Sequence, residues 1–137
     1  MSFSYNFKQK LIIFSFVVLI SYVLDITRNT CDDLTFSIKC NNLVHHVVSN
    51  YLWFGSIIFG FHELHIVYMM GGFIGWKLFD GCFLTKKYNE TCNYNESNKH
   101  HDLLYFISNN EELFSQMNMF KIVLIYNISC VISKYLL

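Results

Sequence analysis

Six histidines and five cysteines are the residues of this 137-residue chain whose chemistry could define an activity. His45 and His46 are adjacent, His62 and His65 lie three apart, and His100 and His101 are adjacent again. Two imidazoles at one depth on facing helices would hold a haem. Here His45 and His46 open one apolar run while His62 and His65 open the next. In an antiparallel hairpin those positions sit roughly 25 Å apart at 1.5 Å per residue, so no haem or other cofactor is expected. Cys82, Cys92, His100 and His101 follow a C-x9-C-x7-H-H pattern, whereas zinc modules pair their cysteines two to four residues apart. No metal is expected there. His62-Glu63-Leu64-His65 brings its second histidine one residue too early for the zinc-protease helix motif. The chain has no Gly-rich phosphate loop, nucleophile elbow or paired carboxylates, and no catalytic residue is assigned.

Polar side chains inside apolar runs are costly to keep there and therefore become candidates for function. Helical spacing puts His45, Ser49, Trp53, Ser56 and Gly60 along one stripe, with His46 and Asn50 beside it. A second stripe holds His65, Met69, Gly72, Trp76 and Phe79, with Gly75 next to it. One reading is packing: Ser56-x-x-x-Gly60 and Gly71-x-x-x-Gly75 let helix backbones approach, and Asn50 or Asn127 bonds across the bundle. The other is a pocket for a lipid-like or redox ligand, lined by His46, Asn50, His65 and Trp76.

Composition says what surrounds these stripes. The chain is 53% hydrophobic, 18% aromatic and only 15% charged, against roughly 25% charged in soluble domains. Ten basic residues balance ten acidic ones, which argues against nucleic acid as a partner. The apolar content excludes long disorder. Leu11–Leu24 carries no charge, Cys40–His62 and Leu64–Trp76 lack Asp, Glu, Lys and Arg, and so does Ile122–Ser133. A membrane-crossing helix needs about 20 mostly apolar residues. The first and last runs reach that length if Lys10, Lys121 and Lys134 extend their stems to the interface. Gly60 is the expected turn of a central hairpin. The pattern predicts an all-α integral membrane bundle, a single domain of four antiparallel helices near 7–27, 42–59, 62–80 and 110–136. Asn41 and Asn42 are the expected caps of the second helix, and Ser108 with Glu111 makes a capping box for the last. The rival for the first segment is a cleavable signal peptide, but no small-x-small cleavage pattern follows Leu24.

Four spans put both termini on one face and polar loops 25–41 and 81–109 on the other. Lys and Arg are denser on the loop side, which alone would place the loops in the cytosol. Against this, Lys8 and Lys10 precede the first span, and Cys31, Cys40, Cys82 and Cys92 all fall in the two loops. Four cysteines on one face suit two disulfides in an oxidising compartment. Short-range pairing, Cys31 with Cys40 and Cys82 with Cys92, is the expectation among three possible connectivities. Asn89-Glu90-Thr91 and Asn95-Glu96-Ser97 are glycosylation sequons in the same loop. Cytosolic termini with lumenal or exterior loops follow. The chain lacks alanine and proline and is rich in Asn, Ile, Phe, Tyr and Lys. That usage fits an AT-rich coding genome, and the expected location is an internal or viral envelope membrane of a host cell.

His46, Trp76 and the run Gly81-Cys82-Phe83-Leu84-Thr85, within His45 to about Thr91, resemble a group of small multi-span membrane proteins of unknown function. Their pattern is a His early in one span, a Trp late in the next, then Gly-Cys-Pro-Leu-Thr followed by Leu-Glu. Phe83 stands here in place of the proline, and Lys87-Tyr88 in place of Leu-Glu. The resemblance implies a compact helical bundle with the Trp and Gly-Cys-x-Leu-Thr corner as its distinguishing site, and it implies no reaction. The expected role is structural or interaction-based, with membrane lipid and further protein copies or subunits as partners. The alternative is the membrane-embedded binder or enzyme described above.

Overall fold

The computed structural model describes residues 5–28, 31, 35–92 and 116–136. These are all-helical: α1 (Phe7–Arg28), α2 (Phe36–Phe59), α3 (His62–Leu78), a short α4 (Phe83–Thr91) and α5 (Gln116–Leu136). Four are long and one is not. Helix α2 is central and touches the other four, while α3 also packs on α5.

The contacts fix the directions. Phe7 and Phe14 meet Phe59, Phe14 meets Tyr51, and Ser21 meets His46, so α1 runs antiparallel to α2. His65 reaches Leu52 and Tyr68 reaches Val48, which makes α3 antiparallel to α2. Glu63 pairs with Lys134 while Phe73 stacks near Phe120, so α5 returns along α3. Gly60 makes the α2–α3 turn as expected. Its φ of 77° lies in the left-handed region, and its N–H closes the last turn on the Ser56 carbonyl at 2.8 Å. Gly55 has a different reason to be glycine: a Cβ there would lie 2.6 Å from the Tyr51 ring. Trp53, Met69 and Val123 form the buried meeting point of α2, α3 and α5.

The connections depart from expectation on the face opposite Gly60. Helix α2 starts six residues earlier than Asn42, with Thr35 as its N-cap, so Asn41 and Asn42 are interior residues and not caps. Asp25 belongs to the last turn of α1, not to a loop. The segment after α3 is not an open loop either, because residues 83–91 form α4. It lies along the first half of α2: Asn41 Nδ2 donates to the Leu84 carbonyl at 2.9 Å, and Tyr88 of α4 is buried. Ser108, Glu111 and the predicted helix start at 110 lie outside the described residues.

The cysteine pairing also differs. Cys31 is bonded to Cys92, with Cα atoms 5.2 Å apart, and Cys40 and Cys82 are free. Geometry excludes the expected pairs. Cys82 and Cys92 sit at opposite ends of α4, about 15 Å apart at 1.5 Å per residue, well beyond the 7 Å limit for a disulfide. Cys40 is exposed on α2 and free, since its expected partner Cys31 is taken by Cys92. The observed bond ties the end of α4 to the α1–α2 connection across 61 residues of sequence. Loop-closure entropy for such a ring is about 4 kcal/mol. Peptide mapping without reductant should therefore recover Cys31 joined to Cys92. Cys92→Ser should lower the thermal midpoint by about 10 °C, and recovery of Cys82 joined to Cys92 would contradict the fold.

Candidate functional site

Two sets of polar side chains meet near the end of α2 that carries α4. The inner set lies between α1 and α2. Ser21 and Asp25 are four residues apart on α1, and Asn42 and His46 are four apart on α2. One helical turn separates each pair, so antiparallel packing brings the pairs into register. Ser21 Oγ lies 2.8 Å from His46 Nδ1, and His46 Nε2 lies 3.2 Å from Asp25 Oδ2. Asn42 Nδ2 donates to the same carboxylate oxygen at 2.9 Å. All four side chains are fully buried. A carboxylate only accepts, so the Asp25 contact assigns the proton to Nε2 and leaves Nδ1 to accept from the Ser21 hydroxyl. Asn50 Nδ2 then donates to the His46 carbonyl at 2.7 Å, continuing the polar line one turn further.

Serine, histidine and aspartate in contact is the order of a hydrolytic triad. The geometry does not support that chemistry. Ser21 has no exposed surface, so an acyl group has no route to Oγ. The set is a clasp between two helices.

The outer set contains the free thiol. Cys82 precedes the first residue of α4, and its sulfur lies 3.6 Å from His45 Nδ1. Thr85 Oγ1 is 3.4 Å from the same nitrogen. His45 is 8% exposed and its ring stands edge-on to His46 at 5.5 Å, which links the two sets. Burial alone pushes the Cys82 thiol up. The hydrogen bond and charge of His45 outweigh it, the Thr85 hydroxyl and amide add smaller pulls, and the thiol is brought down to about 6. A partly exposed cysteine beside an imidazole at a helix N-terminus is the setting in which thiolates form near neutral pH. Lys86 folds back over Gly81 and donates from Nζ to the Phe79 carbonyl at 2.8 Å. Phe79, Phe83, Lys86, Lys87 and Glu90 line a groove of about 350 Å³ beside it.

The proposed ligand residues do not converge. His46 and Asn50 belong to the α1–α2 clasp, while His65 is buried between α2 and α3, with Nε2 donating to the Leu52 carbonyl at 3.0 Å. Trp76 is on the outside of α3 with Lys77 over its ring at 5.5 Å. The second stripe is buried only at His65 and Met69. Of the packing residues, Ser56 is buried and Gly60 serves the turn, whereas a Cβ on Gly71 or Gly75 would meet nothing within 4 Å. Among the described residues, that pair seats no helix. Asn89 lies in α4 and is half-buried; Asn95, His100 and His101 are outside the described residues. Among those described, no three His, Cys, Asp or Glu side chains cluster as a metal site would require.

The sequence reading gave no role to Ser21 or Asp25, and it took Asn42 for a cap, His45 for a stripe residue and Thr85 for part of the corner after α3. A signal existed: the buried positions of α1 are Phe14, Val18, Ser21 and Asp25, spaced four, three and four. Reading Asp25 as the start of a loop broke that line. In comparison with known proteins, the chain matches no family model, no curated protein and no solved structure.

Removing His46 takes one donor from a buried carboxylate, which costs up to about 3 kcal/mol. His46→Leu should therefore lower stability by up to about 3 kcal/mol in detergent-based unfolding. Adding Asp25→Leu to it should recover part of that loss, since no lone carboxylate then remains. A double variant worse than His46→Leu would refute the pairing.

Proposed function

We propose that this chain is a multi-pass integral membrane protein with a structural or interaction role, built as a bundle of four spans capped on one face by α4. The observation that carries the reading is an inverted distribution of polarity. Ser21, Asp25, Asn42, His46, His65 and Asn127 are fully buried, while Ile12, Phe16, Val67 and Ile125 are each more than 60% exposed. Water-soluble chains rarely expose apolar surface on that scale, and hydrocarbon favours it. Two helical stretches, Phe7–Thr27 and Asn118–Leu136, are long and apolar enough to cross a membrane, and only 17% and 11% of their apolar windows are buried. A soluble core helix would bury most of its surface.

Helices α2 and α3 supply the remaining spans in this reading. The polar face of α2 is turned to α1, α3 and α4, which leaves Leu43, Val44, Val47 and Ile57 for lipid. Asn127 supports the same logic on α5: it accepts from His62 Nδ1 at 3.0 Å and donates to the Val123 carbonyl at 2.8 Å. Backbone and side-chain polar groups inside a bilayer must be satisfied within the protein. The termini and the Gly60 turn occupy one face, and α4 with the disulfide occupies the other. Cytosolic termini and an oxidising compartment around α4 are the orientation we propose. The corner from Gly81 to Thr85 remains its distinguishing site, in keeping with the resemblance to small multi-span proteins.

Membranes from cells expressing the full chain should retain it after alkaline carbonate extraction and release it only with detergent. Recovery as a compact monomer in the carbonate supernatant would overturn the proposal. Ile125→Lys, on the lipid-facing side, should reduce insertion by about 2.5–3.5 kcal/mol, read as loss of the membrane-integrated fraction.

A further inference from the structure

We infer that Cys82 is a nucleophilic thiol for disulfide exchange, with His45 as its proton acceptor and with anionic, carboxylate-bearing disulfides as its reactants. The geometry comes first. The sulfur and the imidazole are within hydrogen-bond reach of each other at 3.6 Å, and the thiol is held at the start of α4. A cysteine kept solely as a small apolar filler needs no imidazole at its sulfur. Cys31–Cys92 lies on the same face at the far end of α4, so the compartment that oxidised it contains disulfides with which a free thiol can react. Cys82 cannot attack that bond itself, being about 15 Å away along α4. Its reactant must come from outside.

The surroundings set the charge of that reactant. The Lys86 stem crosses Gly81 and holds its ammonium at the Phe79 carbonyl, and Lys87 lines the same groove. Glu90 stands at the far end of the groove, and Asp80 is exposed in the α3–α4 connection. From α2 the titratable neighbours are His45 and His46, and from α3 Tyr68 lies close enough to feel the thiolate charge. The Lys86 stem packs on Gly81, the residue before Cys82, and that cation favours an incoming anion.

The step balances without an added oxidant. The Cys82 thiol proton moves to His45 Nδ1, and the thiolate attacks one sulfur of the incoming disulfide. That S–S bond breaks with its electron pair on the departing sulfur, which takes the proton back from His45. One disulfide is consumed and one mixed disulfide to Cys82 is formed. The same chemistry on a protein disulfide would fix a partner covalently to the α4 face, which deepens the interaction role proposed above without depending on the membrane.

Full-length protein is exposed to oxidised glutathione, an anionic disulfide, or to cystamine, a cationic one, from about pH 5 to about pH 9. Peptide mapping then quantifies the adduct at Cys82 separately from Cys40. The thiolate is present above its depressed pKa and lost below it, so native Cys82 should show a midpoint near about 6. The urea-unfolded chain should show one near about 8.5. His45→Gln should raise the native midpoint by about one unit or more, and Lys86→Glu with Lys87→Glu should reverse the preference for oxidised glutathione. Because the native-to-unfolded comparison uses unaltered protein, misfolding of a variant does not blunt the test. Equal midpoints in the native and unfolded chain, an unmodified native Cys82, or faster reaction with cystamine would each overturn the inference. A chain found in the carbonate supernatant would leave these results as they stand, and failed exchange would leave the membrane reading as it stands.

Discussion

Asp25 and His46 face each other at 3.2 Å with no solvent on either side chain, and the rest of the packing conforms to that pair. A carboxylate shut away from water is tolerated only where donors surround it. Asn42 and His46 both donate to Asp25, and both belong to α2. They meet it only if α1 and α2 run antiparallel with one register, because a slip by a single turn would move each donor about 5.4 Å away. The clasp thereby selects one arrangement from the many that apolar contact alone would allow. Its value is more in specificity than in net stability, since buried polar groups recover little beyond their own desolvation when they pair.

Once α1 covers part of the polar face of α2, the remainder needs other covers. His65 and the Leu52 carbonyl satisfy one section from α3, and α4 lies over the first turns with Cys82 and Thr85 on His45. Helix α4 is too short to be stable alone, as isolated helices under about 12 residues are marginal. It is held instead at both ends, by the thiol–imidazole contact at its start and the Cys31–Cys92 bond just past its end. Cys82 is a free thiol at one end of α4 and out of reach of Cys92 at the other.

Much of the helix content was legible in the residues. The charge-free runs located α1, α5 and the α2–α3 hairpin, and Gly60 marked its turn, because lipid-length apolar periodicity and a left-handed glycine are local properties. The failures share a different origin. Asn42 and Asp25 looked like cap and loop residues because polar groups at the edge of an apolar run ordinarily meet water. Here each was buried by the other. The short-range cysteine pairing failed likewise, since α4 inserts a rigid rod between Cys82 and Cys92. His65 and Trp76 share a helical face by spacing, yet His65 is buried against α2 while Trp76 is exposed.

Taken by itself, the order of residues determined that this chain is helical, where most of its helices lie, and that polar side chains recur at helical spacing along α2. Those outcomes depend on hydrophobic period and backbone preference, which act over a few residues. Which polar groups meet was decided only in three dimensions. Ser21 with His46, Asp25 with Asn42, Cys82 with His45 and Cys31 with Cys92 are contacts across 17 to 61 residues. Such partners are chosen by helix register and crossing geometry, and no short stretch of chain encodes either.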